Sequence, residues 1–137
     1  MYEKIMVPVD LAHVDQLEKA IVVSTDLAKN YSIPVCFVGV TAETPTEVAH
    51  TPQEYAEKLE KFGANHAKAH GIAVDTAAYS SHDPAVELDK TLIEAATDKG
   101  ADLIVMASHI PGLPEHIFAS HAGAVASHAE VSVFVVR

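Results

Sequence analysis

The chain has 137 residues, 49% of them hydrophobic and 20% charged, which is enough apolar material for the core of one ordinary domain and too much for a disordered tail. Nine Lys and Arg against nineteen Asp and Glu give a formal charge of −10, which opposes contact with a phosphate backbone and argues against nucleic acid as a partner. Cys36 is the only cysteine, so an intramolecular disulfide and a multi-cysteine metal centre are excluded, and no apolar run reaches the roughly 18 residues of a membrane-spanning helix.

Met1-Tyr2-Glu3-Lys4 enters apolar Ile5 without a charged-then-apolar leader, so the expected location is cytoplasmic, with no membrane insertion. Ile5-Met6-Val7-Pro8-Val9 is apolar on both faces, as a central parallel strand would be, and ends at Asp10. From about Val14 to Asn30, Leu17, Ala20, Ile21, Leu27 and Ala28 recur at three- and four-residue spacing, predicting a one-sided amphipathic helix. Pro34 to Val40 reads as a second strand with Cys36 buried in it, followed by a polar loop from Thr41 to His50.

Thr51-Pro52-Gln53-Glu54 joins a capping residue, a proline at the first helical position and a glutamate three residues after the cap. A helix should start there, carry Tyr55, Leu59, Phe62 and His66 as its stripe, and stop at Gly71. Ile72 to Tyr79 is a third strand of weaker pattern. Asp83-Pro84 repeats the capping signal for a helix that buries Leu88, Leu92 and Ala95 and ends at Gly100. Asp102 to Ala107 is a fourth strand. After an irregular run from Ser108 to about Phe118, Ser120 is placed to cap a small-residue helix, and Val131 to Val136 forms the fifth strand.

Strands alternating with helices predict a single domain over residues 1–137: an α/β fold with an open five-stranded parallel sheet and helices on both faces. Ligands of such sheets sit beyond the carboxyl ends of the strands, where the strand order reverses. With the order 3-2-1-4-5 that crevice lies between the first and fourth strands, framed by Val7 to Asp10 and Met106 to His109 and walled by the loop after Val40. The start of the last helix offers unpaired N–H groups to an anion, and Asp10 suits ribose hydroxyls, which together describe a mononucleotide site. The competing reading is that Asp10 only caps the first helix and the small residues serve packing.

Three segments resemble the universal stress protein family: Lys4-Ile5-Met6-Val7-Pro8-Val9-Asp10, Gly100 through Ser108, and His128 through Arg137. The resemblance runs over the whole chain. It implies a fold of the adenine nucleotide alpha-hydrolase-like type with sheet order 3-2-1-4-5, a homodimer, a stress-response regulatory role exerted on a further, unidentified protein, and ATP or AMP as ligand, with or without Mg²⁺. Nucleotide-binding members carry glycine, two residues, glycine, nine residues, then glycine-serine. Here Ala107 and Ile110 occupy the first two glycine positions, and Ala119-Ser120 replaces the pair one residue early. Ala107-Ser108-His109-Ile110-Pro111 is similar to the loop of a small single-domain branch that retains nucleotide binding. By this resemblance Pro8, Val9, Asp10 and Val40 contact adenine and ribose, Ala107, His109, Ile110, Ser120, His121 and Ala122 surround the phosphates, and Met106 belongs to the same site. The alternative is a dimer of the same type that binds no nucleotide and works only through protein–protein contacts.

No Lys or Arg lies between Ala107 and Ala122. A helix terminus stabilises an anion by roughly 0.3 to 1 kcal/mol, or about 2 when partly buried, so modest affinity and at most very slow ATP hydrolysis are expected. His66 and His70, four apart on the second helix, have the spacing to share a metal but lack the metalloprotease glutamate, and they read as surface histidines. His109, His116 and His121, with Glu115 nearby, match no zinc motif and read as solvated loop residues. No Walker loop, nucleophile elbow or Cys–His pair is visible, so no catalytic residue or metal ligand is assigned. The fifth strand lies at an edge without charge or proline, so Val131, Val133, Phe134 and Val135 are expected to pair with the same strand of a second chain. Cover by a loop of the same chain is the other way to protect that edge.

Overall fold

Ile5, Met6 and Val7 have no solvent exposure because β1 (Ile5–Pro8) is the middle strand of the sheet, flanked on both edges and covered on both faces. A computed structural model describes residues 1–108 and 121–137. β1 pairs in parallel with β2 (Val35–Ala42) on one side and β4 (Leu103–Ala107) on the other; β3 (Val74–Ser81) lies outside β2 and β5 (Ser132–Val136) outside β4. The order is therefore β3-β2-β1-β4-β5, as expected.

Right-handed crossovers put α1 (Glu18–Tyr31) and α2 (Pro52–His70) on one face of the sheet. The chain then crosses from β3 to the far side of β1, so α3 (Pro84–Asp98) and α4 (Ala122–His128) cover the other face and touch each other. Phe37, Leu59, Leu88, Leu92, Ile104 and Met106 are among the large side chains buried completely between these layers. Each such burial is worth about 1.5–3 kcal/mol. Cys36 lies among them, and burial, reinforced by the charge of Asp75, pushes its thiol up to about 11, so it is an inert core residue as expected. Among the described residues no helix is long and apolar enough to cross a membrane.

Several boundaries differ from expectation. The segment expected as α-helix from Val14 is a 3-10 helix over Leu11–Leu17, with His13 at φ −138°, ψ 47°, and α-helical geometry begins only at Glu18. Asp10 causes this. One carboxylate oxygen accepts the Ala12 N–H at 3.1 Å and the other accepts from His13 Nδ1 at 2.9 Å, tightening the chain as it leaves β1. β2 continues past Val40 to Ala42 because its register with β3 is unbroken from Val35↔Val74 to Ala42↔Ser81, and β3 correspondingly starts at Val74 and runs to Ser81.

Thr51 caps α2 as expected: its Oγ1 accepts the Glu54 N–H at 3.1 Å, and Gly71 ends the helix at φ 65°. Asp83 does not cap α3 with its side chain. Glu87 reaches back instead, accepting from the Asp83 N–H at 3.2 Å and the Ser81 hydroxyl at 2.6 Å. His121 is the residue before α4 and makes no side-chain cap; the capping role expected of Ser120, and most of the irregular run before it, lie outside the described residues.

Candidate functional site

The short ladder between the two central strands has a cause in the backbone of β1. Ile5 and Val9 donate their N–H groups to the carbonyls of Pro34 and Val38, at 3.1 and 2.8 Å, so the alternate residues Met6 and Pro8 turn their amide positions toward β4. Pro8 has no N–H to give. Accordingly β1 and β4 pair only at Ile5↔Leu103 and Met6↔Ile104, while β1 stays with β2 to Pro8↔Val38 and β4 stays with β5 to Ala107↔Val136. Beyond Met6 the ladder between the two central strands ends, toward their carboxyl ends.

Pro8 ends β1 and Val9 and Asp10 follow it, while Met106 and Ala107 end the neighbouring β4 at the same edge of the sheet. Val9 and Met106 are fully buried, Ala107 nearly so, and the Asp10 side chain is 14% exposed. Val40 lies on β2 toward the same end of the sheet, opposite Tyr79 in the register. Ala122 is buried at the start of α4. His121 donates from Nδ1 to Asp89 of α3, so a carboxylate that the sequence does not pair with it sets its ring orientation. His109, Ile110 and Ser120 lie outside the described residues, as do His116 and Glu115.

Asp10 combines both readings made from the sequence. It does cap the 3-10 segment, yet a carboxylate has about four acceptor positions, and the Ala12 and His13 contacts use two. The remaining lone pairs are the chemistry a ribose diol needs.

Sequence reasoning missed Tyr55. It lies in the first turn of α2, is only 4% exposed, and its ring fills the space beside Gly39, where a Cβ would stand 2.6 Å from the hydroxyl oxygen. Burial raises the phenol well above its usual range, and the charge of Asp10 raises it further against the opposing Leu11 N–H. Tyr55 therefore stays protonated and braces the turn that carries Asp10. A glycine inside an otherwise apolar strand was the available signal, since it marks a close approach. Beside this turn a groove of about 560 Å³ opens between the 3-10 segment, the loop after β2 and α2, lined by Leu11, Ala12, Val48, Lys58 and Phe62 among others.

His66 is not the surface histidine expected. Its ring packs 4.5 Å from the Phe62 ring and 5.8 Å from that of Phe37, centroid to centroid, and burial together with neighbouring His70 holds it below the ordinary histidine value. Among the described residues no group of three or more His, Cys, Asp or Glu is placed to hold a metal ion. β5 stands at the sheet edge, with Phe134 45% exposed and Val131, Val133 and Val135 half-buried.

An open parallel sheet of order β3-β2-β1-β4-β5 defines an α/β protein whose strand order reverses between β1 and β4, the place where ligands of such sheets bind. The profile of the Universal stress protein family matches residues 1–137, and the chain belongs to that family. Universal stress protein G of Shigella flexneri is 24% identical over 148 aligned positions that cover 100% of both chains. Among solved structures, the universal stress protein from Archaeoglobus fulgidus in complex with dAMP superposes with a TM-score of 0.71 at 18% identity, covering 99% of this chain and 98% of that one. A universal stress protein in complex with cAMP gives 0.69 at 17% identity, with 99% and 97% covered. At these identities the structural likeness speaks to the fold.

Proposed function

We propose that this chain is a dimeric regulatory module of its family that binds an adenine nucleotide, ATP or AMP, with modest affinity in the crevice between β1 and β4. The observation that carries this reading is the end of the β1–β4 ladder at Met6↔Ile104, at the switch point of the sheet, beside an Asp10 carboxylate with acceptor positions to spare. The dAMP and cAMP complexes of structurally similar family members support the choice of ligand class. Pro8, Val9, Asp10 and Val40 take the nucleoside, with Asp10 accepting from ribose. Ala107, His109, Ile110, Ser120, His121 and Ala122 surround the phosphates, which rely on backbone N–H groups because no Lys or Arg lies in that stretch, and Met106 belongs to the same site. Mg²⁺ accompanies ATP through the phosphates themselves. With no fixed cation beside the phosphates, turnover is very slow at most.

Occupancy of the crevice acts on a partner protein, and the dimer forms by pairing of β5 with its copy through Val131, Val133, Phe134 and Val135. A second reading, dimerisation without nucleotide, is favoured by Ala107, Ile110 and Ala119 standing where nucleotide-binding relatives carry glycine, because each added side chain narrows the loop. Calorimetric titration with AMP, with ATP and with ATP plus Mg²⁺ separates the two. One saturable site per chain is expected, and Asp10→Ala should weaken AMP more than it weakens inorganic phosphate. Absence of heat and of any thermal shift at millimolar nucleotide would establish the second reading.

A further inference from the structure

No Lys or Arg lies in the stretch from Ala107 to Ala122, yet the fold brings Arg137 and Lys19 to the place where that stretch leaves β4. Arg137 is the only arginine of the chain and follows directly on β5. We propose that Arg137 receives the far end of a polyphosphate, so that the site takes ATP or ADP in preference to AMP. This inference rests on the nucleotide reading above and narrows its ligand.

The backbone of Arg137 is tied from two sides. β4 and β5 stay in register to Ala107↔Val136, and the Ser108 N–H donates to the Val136 carbonyl at 2.7 Å, so Arg137 follows a residue bonded to the first position after β4. From α1, the Lys19 Nζ donates to the Arg137 carbonyl at 2.5 Å, which holds the residue down and adds a second positive charge to the same corner. The Arg137 side chain is exposed, and among the described residues its guanidinium makes no ion pair or hydrogen bond. The chain has nineteen carboxylates, and none of the described ones is spent on its single guanidinium.

A guanidinium presents a planar fork of donors that meets phosphate oxygens in pairs, where an ammonium gives only a point charge. The sheet order sets which phosphate it meets. In the nucleotide reading a nucleoside at Pro8, Asp10 and Val40 stands over β1 and β2, which leaves the α-phosphate near the β1–β4 boundary. β5 lies two strand spacings beyond β1, roughly 10 Å away, so the groups that extend toward Arg137 are the β- and γ-phosphates. AMP lacks them and gains nothing from this charge. An unpaired arginine is not a fixed cation: it is ordered only when the phosphate arrives, and that cost keeps the affinity modest.

The test is calorimetric titration of the full chain with ATP, ADP and AMP at fixed ionic strength and without Mg²⁺, beside Arg137→Gln and Arg137→Lys, with the mass of each variant checked by light scattering. The parent should bind ATP and ADP more tightly than AMP. Arg137→Gln should weaken ATP about tenfold while AMP changes by less than about twofold, and Arg137→Lys should recover part of the loss by restoring the charge without the fork. The mass should stay that of the parent. Equal affinity of the parent for ATP and AMP, equal losses for the two in Arg137→Gln, no loss at all, or a fall in mass would each overturn the role of Arg137 and leave the nucleotide site standing. A parent that binds neither ATP nor AMP would instead remove the nucleotide reading, and this inference with it.

Discussion

Asp10, Cys36 and His66 show how far single residues can be read from sequence. A carboxylate directly after a central strand has two natural uses, capping and ligand contact, and Asp10 has the lone pairs for both. Cys36 in an unbroken apolar run was readable as core. His66 was not, because a helical stripe says which face is buried but not that Phe37 of β2 and Phe62 close over the imidazole. Tyr55 against Gly39 and His121 against Asp89 escaped for the same reason: each contact joins residues brought together only by the crossing of the chain. The depressed His66 value has a measurable consequence. The unfolded chain takes up the proton near the ordinary value of 6.5 while the folded one resists it, so stability is lost as pH falls below that value toward the folded-state one. Denaturant melts across that range in the presence of a chelator should therefore show a smaller acid-side loss for His66→Phe than for the parent; parallel slopes would refute the assignment.

At the scale of the element, the same capping signal had two outcomes. Thr51 and Asp83 each precede a proline and a glutamate, yet Thr51 caps with its hydroxyl while Asp83 leaves the work to Glu87 and Ser81. Thr51→Ala should cost about 0.5–2 kcal/mol in unfolding free energy, and Asp83→Ala within about 0.5 kcal/mol. Equal losses in the two variants would contradict the capping geometry. Among the described residues each strand and α-helix was visible in hydrophobic period, small-residue pattern or cap and stop signals, whereas ends moved where a tertiary partner decided them. β2 and β3 extend together because each satisfies the other, and the first helix tightens into 3-10 geometry because Asp10 and His13 close on each other. The approach of α2 to β3 is equally hard to foresee: a Cβ on Gly63 would stand 2.5 Å from Thr76 Cγ2, so a residue that looks like a helix weakness is a packing requirement.

For the whole molecule, the alternation of strands and helices was enough for an open parallel α/β sheet, while its order, and with it the edge position of β5, rested on the resemblance to the family. What it did not contain is where the β1–β4 ladder ends, since that depends on which side of the strand the Pro8 amide faces. The exposed ring of Phe134 on β5 carries the expectation of a dimer. Phe134→Lys should shift the mass measured by light scattering from two chains to one while the fold persists; an unchanged mass, or a parent that is already monomeric, would remove β5 as the interface. Amide chemical-shift mapping on addition of AMP locates the nucleotide on the molecule. Saturable shifts should be largest at Val9, Asp10, Val40, Ala107 and Ser108, the backbone at the switch point. Unmoved amides at those positions in millimolar AMP, or shifts gathered elsewhere on the molecule, would contradict a nucleotide site between β1 and β4.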